Sequence, residues 1–70
     1  MEPAKKLGQN LRRLRKERGL TQEQLALEAG LDMSYISEVE SGQWNITINT
    51  ALKLTEALAV KLVDLLEGLD

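Results

Sequence analysis

A chain of 70 residues with no cysteine and no histidine excludes disulfides, thiolate metal sites and the usual catalytic bases. Its net charge of −2 does not suggest nucleic acid, and it has no run of about 18 apolar residues to span a membrane. The acidic residues are spread singly and no glycine-rich phosphate loop occurs, so neither a cofactor nor a metal is expected and the chain does not read as an enzyme. The opening residues MEPAKKLGQN lack an apolar signal core, which predicts a cytoplasmic location. A single domain over residues 1–70 buries only about 60% of its unfolded surface, so its core is small. Leu and Ala dominate, Phe is absent, and Tyr35 and Trp44 are the only aromatics, a balance that predicts an all-α domain.

Helix 1 is predicted from about Pro3 to Arg18, with Pro3 in the first turn and Gly19 just past the end. Leu7, Leu11 and Leu14 form one apolar stripe. At about 100° per residue, Lys5, Arg12, Arg13 and Lys16 point away from it, whereas Arg15 lies near the edge on the Leu11 side. Residues 1–20 carry a net charge of +5 and residues 21–70 carry −7. Such polarity can orient a molecule on a polyanion, and a basic helix face can equally serve solubility alone.

Helix 2 starts at Thr21, which forms a capping-box pattern with Gln24. Leu25, Ala26 and Ala29 make its inner face, and Gly30 ends it in a left-handed conformation. Helix 3 starts at Asp32, a good N-cap residue, and ends before Gly42. Ile36 and Val39 face inward, with Ser34, Ser37, Glu38 and Ser41 opposite and Met33 at the margin. Glu40 falls near the inner face, where a carboxylate needs a partner, and Arg15 is the obvious one. Residues 21–42, TQEQLALEAGLDMSYISEVESG, thus read as two short helices joined by a glycine turn, a helix-turn-helix. A loop follows, Gln43-Trp44-Asn45-Ile46. Thr47 can cap helix 4, in which Ile48, Ala51, Leu52, Thr55 and Leu58 share a face. Residues 59–61 make a break, and Leu62, Leu65, Leu66 and Leu69 line a short fifth helix.

The segments LGQNLRRLRKERGLTQEQLALEAGL and SYISEVESG, the start Asn45-x-Thr47-Ile48 and the run LTEALAVKLVDLL fall in one order and spacing. Together they resemble the Xre-like helix-turn-helix family, which includes the lambdoid phage repressors and Cro. GLDMSYISEVESG also resembles the controller proteins of restriction-modification systems. The resemblance implies a compact five-helix lambda-repressor-like fold. It implies a sequence-specific regulator of transcription that binds double-stranded DNA, with a recognition helix of about residues 33–41 in the major groove. It also implies a homodimer on a pseudo-palindromic operator; the small core leaves little room for a small-molecule effector, and none is expected. Base contacts would come from Met33, Ser34, Ser37 and Glu38. Serine discriminates weakly, Met33 suits a thymine methyl, and Glu38 suits cytosine N4 although it approaches a polyanion. Phosphate contacts would come from Gln22 at the head of helix 2, and from Arg12, Tyr35, Gln43 and Asn45. Arg15 and Glu40 would be an ion pair bracing helix 1 against helix 3. Leu62, Val63, Leu66 and Leu69 offer more apolar surface than a small core needs and are the expected dimer contact; the same stripe can instead close the core.

The chain departs from the family pattern in places. The loop after helix 3 is often basic in relatives, whereas Ser41-Gly42-Gln43-Trp44-Asn45 has no charge. Each phosphate left unneutralised flattens the salt slope by about 0.9, so weaker non-specific binding is expected. Trp44 can reach a phosphate with its indole N–H or cover the loop with its ring, and packing is the expected role. Ala59-Val60-Lys61 stands where relatives often have Gly, Val and Ser or Thr, so the joint is either strained or differently shaped. Ile46 replaces a common proline. The acidic balance, the uncharged loop and Glu38 also fit a second function, a protein-binding module of antitoxin or anti-repressor type that has lost DNA.

Overall fold

The computed structural model describes residues 2–69, so Met1 and Asp70, the ends of the expected domain, lie outside the described residues. Five helices follow one another: α1 (Pro3–Glu17), α2 (Gln22–Ala29), α3 (Met33–Glu40), α4 (Ile48–Leu58) and α5 (Leu62–Leu65). The described residues contain no strand, and no helix among them is long and apolar enough to cross a membrane. Local chemistry sets the boundaries. Pro3 opens α1, where its missing N–H costs nothing in a first turn, and Gly19 follows the helix end at φ +71°. Thr21 Oγ1 accepts from the Gln24 amide at 3.0 Å and Gln24 Oε1 accepts from the Thr21 amide at 2.8 Å, the reciprocal cap the pattern predicts. Gly30 closes α2 at φ +71°, and the Leu31 amide returns to Ala26 O at 2.8 Å. Asp32 differs from expectation: it holds the N-cap position of α3, but its carboxylate accepts no amide hydrogen bond.

Leu7, Leu11 and Leu14 of α1 meet Leu25 and Ala26 of α2, Ile36 and Val39 of α3, Ala51, Leu54 and Leu58 of α4, and Leu65 of α5 in one core. The inner face of α4 is turned from the expected one. Leu54 is fully buried, whereas Ile48 is 63% and Leu52 45% exposed. Helix α2 approaches α4 on its Lys53 and Ala57 side, where Glu28 and Ala29 line the same depression. The buried stripe therefore runs through Ala51, Leu54, Thr55 and Leu58, leaving Ile48 and Leu52 on the far flank. Helix α5 also departs from the predicted stripe: it ends at Leu65, which is fully buried, Leu62 and Leu69 pack partly against the core, and Leu66 is 36% exposed.

Two polar residues from the N-terminal segment hold the C-terminal part in place. Asn10 is buried and its side-chain amide donates to Leu65 O and Glu67 O, both at 2.8 Å. Arg18, at the C-cap of α1, donates from Nη1 to Leu58 O at 2.8 Å. The bonds to Leu58 O and Leu65 O satisfy carbonyls that the ends of α4 and α5 leave without partners.

The joint between α4 and α5 takes a left-handed geometry that suits glycine. Ala59 stands at φ +55°, ψ +42°, a left-handed conformation that disfavours any residue with a Cβ. Lys61 has no acceptor to offer as a cap, and only Asp64 contributes, accepting from the Lys61 amide at 3.0 Å. Ala59→Gly is accordingly expected to raise stability by about 1 kcal/mol. Urea unfolding at equilibrium measures this, and an unchanged midpoint would contradict the strain.

Candidate nucleic-acid interface

Helix α3 is seated against α1 and α2. Ile36 and Val39 are fully buried, and Ala26 at 3% exposure lets α3 cross α2 closely. A buried polar network completes the seat. Arg15 Nε donates to Glu40 Oε2 at 2.6 Å and Nη2 to Oε1 at 3.0 Å, a bidentate pair whose side chains are 10% and 3% exposed. The third guanidinium nitrogen, Nη1, donates to Leu20 O at 2.8 Å. Gln22 Nε2 adds a donor to Glu40 Oε1 at 3.2 Å. The partner that the position of Glu40 demanded is therefore Arg15, and Gln22 belongs to the same network.

What remains outward on α3 is short and polar. Ser34, Ser37 and Ser41 are exposed, Met33 is half exposed at the margin, and Glu38 is half buried. Gln22 lies at the start of α2. One of its amide hydrogens is committed to Glu40, which holds the side chain in place. The backbone amides of Gln22 and Glu23, in the first turn of α2, have no intrahelical acceptor and are free for an anion.

The other edge is built by the loop after α3. Trp44 Nε1 donates to Glu38 Oε1 at 2.8 Å. Its ring lies against that of Tyr35, with centroids 5.9 Å apart and planes at 48°. Tyr35 itself packs on the core. Ser41 Oγ and the Gln43 amide both donate to Glu38 O, at 2.9 and 3.0 Å, and Gln43 Nε2 donates to Ser41 Oγ at 2.8 Å. Trp44 thus both packs and donates, but to a carboxylate of this chain. Asn45 is exposed beside it.

The basic face of α1 is less free than its sequence implies. Arg13 bridges Glu17 at 3.4 Å and Glu67 at 3.2 Å. Lys5, Lys6, Arg12 and Lys16 have no carboxylate within ion-pair distance among the described residues. Lys5 is the cation that matters here. A Cβ on Gly42 would lie 2.9 Å from Lys5 Cγ, so the Lys5 stem packs beside the uncharged loop and brings it a positive charge.

Gly8 escaped the sequence pattern. It is buried in α1, and a Cβ there would run into Val39 O and lie 2.8 Å from Glu40 O. Helix α1 therefore crosses the C-terminal end of α3 with the two backbones in direct apposition. The available signal was a glycine inside an otherwise good helical pattern. Asn10 escaped it too, and the available signal was a polar residue one turn from Leu7 on the apolar stripe.

Comparisons with known proteins agree with this architecture. Residues 11–65 match the helix-turn-helix family model HTH_3. The chain is 40% identical over 70 residues to the uncharacterized HTH-type transcriptional regulator y4dJ of Sinorhizobium fredii, covering 100% of this chain and 91% of that one. It is 38% identical over 61 residues to the control protein C.BamHI of Bacillus amyloliquefaciens, covering 86% and 75%. The crystal structure of the restriction-modification controller protein C.AhdI of Aeromonas hydrophila superposes with a TM-score of 0.86 at 47% identity, covering 89% of this chain and 94% of that one.

Proposed function

Because the chain belongs to the HTH_3 helix-turn-helix family, we propose that it is a regulator of transcription that binds double-stranded DNA and inserts α3 into the major groove. The observation that carries this reading is the outward face of α3. It presents Ser34, Ser37 and Glu38 on a helix whose opposite side is locked by Ile36, Val39 and the Arg15–Glu40 pair. Short polar side chains on a rigid helix suit base edges, and rigidity keeps their register. Met33 at the margin suits a thymine methyl. Gln22 and the free amides at the head of α2 take a phosphate on one side. Lys5, Gln43, Asn45 and the Tyr35 hydroxyl serve the backbone on the other, and Arg12 adds charge from α1. A selection from a random double-stranded DNA pool at low salt tests the reading. The expected product is a pseudo-palindrome with half-sites about 34 Å apart. No enrichment with folded protein would favour the protein-binding alternative, for which the net charge of −2 speaks.

A palindromic site needs two copies. The dimer contact proposed here is not the whole predicted stripe, since Leu62 and Leu69 are partly used by the core. Val63 and Leu66 of the C-terminal segment stay exposed, and so do Ile48 and Leu52 on the α4 flank that α2 leaves open. Leu52→Glu combined with Leu66→Glu is expected to give monomers in sedimentation equilibrium that circular dichroism shows to be still folded, because neither side chain belongs to the buried core. A dimer that survives this pair of changes would contradict the assignment.

A further inference from the structure

Glu38 carries the only carboxylate on the outward face of α3, and three hydrogen bonds from the segment after the helix converge on it. Its backbone carbonyl accepts from Ser41 Oγ and from the Gln43 amide, and its Oε1 accepts from the Trp44 indole at 2.8 Å. A free glutamate on a helix surface samples several rotamers. This one is clamped, because Trp44 is itself braced against Tyr35, whose ring packs on the core. One oxygen is thereby occupied, and the second, Oε2, has no protein partner among the described residues. The bond also draws charge from a carboxylate that would otherwise repel a phosphate backbone.

We infer that Trp44 is a specificity-determining residue: it positions Glu38 so that Oε2 accepts from a cytosine amino group at one fixed place in each half-site. The inference rests on the DNA reading above. Trp44 acts through Glu38 and is not itself the base contact. The loop's seat on the DNA backbone and the base preference at that place are then coupled, since the same glutamate anchors both.

The test is a selection from a random double-stranded pool with four proteins: the wild type, Trp44→Phe, Glu38→Ala and the double variant. Phenylalanine keeps an aromatic ring against Tyr35 and removes the donor, and circular dichroism melts establish that each variant is folded. The wild type is expected to select cytosine at one half-site position. Trp44→Phe is expected to lower that preference roughly tenfold, the size of one hydrogen-bonded base contact, with the other positions unchanged. In the Glu38→Ala background the preference is already gone, so the Trp44 change is expected to add nothing. An undiminished cytosine preference in Trp44→Phe overturns the inference while leaving the DNA reading intact. So does an equal loss of affinity for all sequences in both backgrounds, which marks an indole bound to phosphate. No enrichment by the folded wild type overturns the DNA reading and this inference together.

Discussion

Glu40→Ala is expected to lower stability by about 3–5 kcal/mol, because it leaves a buried guanidinium without its carboxylate. Arg15 and Glu40 side chains are 10% and 3% exposed, so water cannot replace the missing partner. Only the bond from Nη1 to Leu20 O would remain to the arginine. For 70 residues the whole margin is roughly 4–10 kcal/mol, so the change removes a large share of it. The consequence extends to the interface, since Glu40 also holds Gln22 at the head of α2. Glu40→Gln keeps the shape and one acceptor, and is expected to lose less. Equilibrium urea unfolding of both variants measures the difference. A loss under 1 kcal/mol for Glu40→Ala would show that the pair is decoration and not a brace.

Gly8→Ala is the second large effect, and its sign is informative. On propensity alone alanine would stabilise α1 by about 1 kcal/mol relative to glycine. The new methyl would instead meet Val39 O and Glu40 O, the second at 2.8 Å. Both are backbone atoms of α3 and cannot rotate aside. One helix must move, and overpacking of this kind costs about 1–3 kcal/mol. The displaced element carries Ser34, Ser37 and Glu38, so weaker DNA binding is expected to accompany the lower melting temperature. A more stable Gly8→Ala protein would contradict the close crossing of α1 and α3.

Much of this arrangement could be read from residue types and spacing. Thr21 with Gln24, Gly30, and the Ile36–Val39 pair each express a local rule, and local rules do not need the fold to be known. Arg15 and Glu40 were legible because both sit where a charge is out of place, on the edge of an apolar stripe. Helix α4 shows where such reading stops. Ile48, Ala51, Leu52, Leu54 and Leu58 are all apolar, so periodicity alone cannot choose between two overlapping stripes. The position of α2 chooses, burying Leu54 and leaving Ile48 and Leu52 outside. The basic face of α1 misleads for a related reason. Arg13 spends a donor on Glu67, and beyond the helix end Arg18 spends one on Leu58 O, both far away in sequence. Asn10 reaches Leu65 O and Glu67 O over similar separations, and the Trp44–Glu38 bond depends on a loop conformation that no pattern specifies.

That α3 reads DNA is tested by fluorescence anisotropy on the selected site. Wild-type protein is titrated onto labelled duplex at several salt concentrations, beside Ser37→Glu, which places a carboxylate on the outward face without touching the core. Binding is expected to weaken with salt, with a slope of about −0.9 for each phosphate contacted, and Ser37→Glu is expected to lose at least about tenfold in affinity while melting like the wild type. Folded wild-type protein that binds no duplex at low salt, or a Ser37→Glu variant that binds as well as its parent, would contradict it.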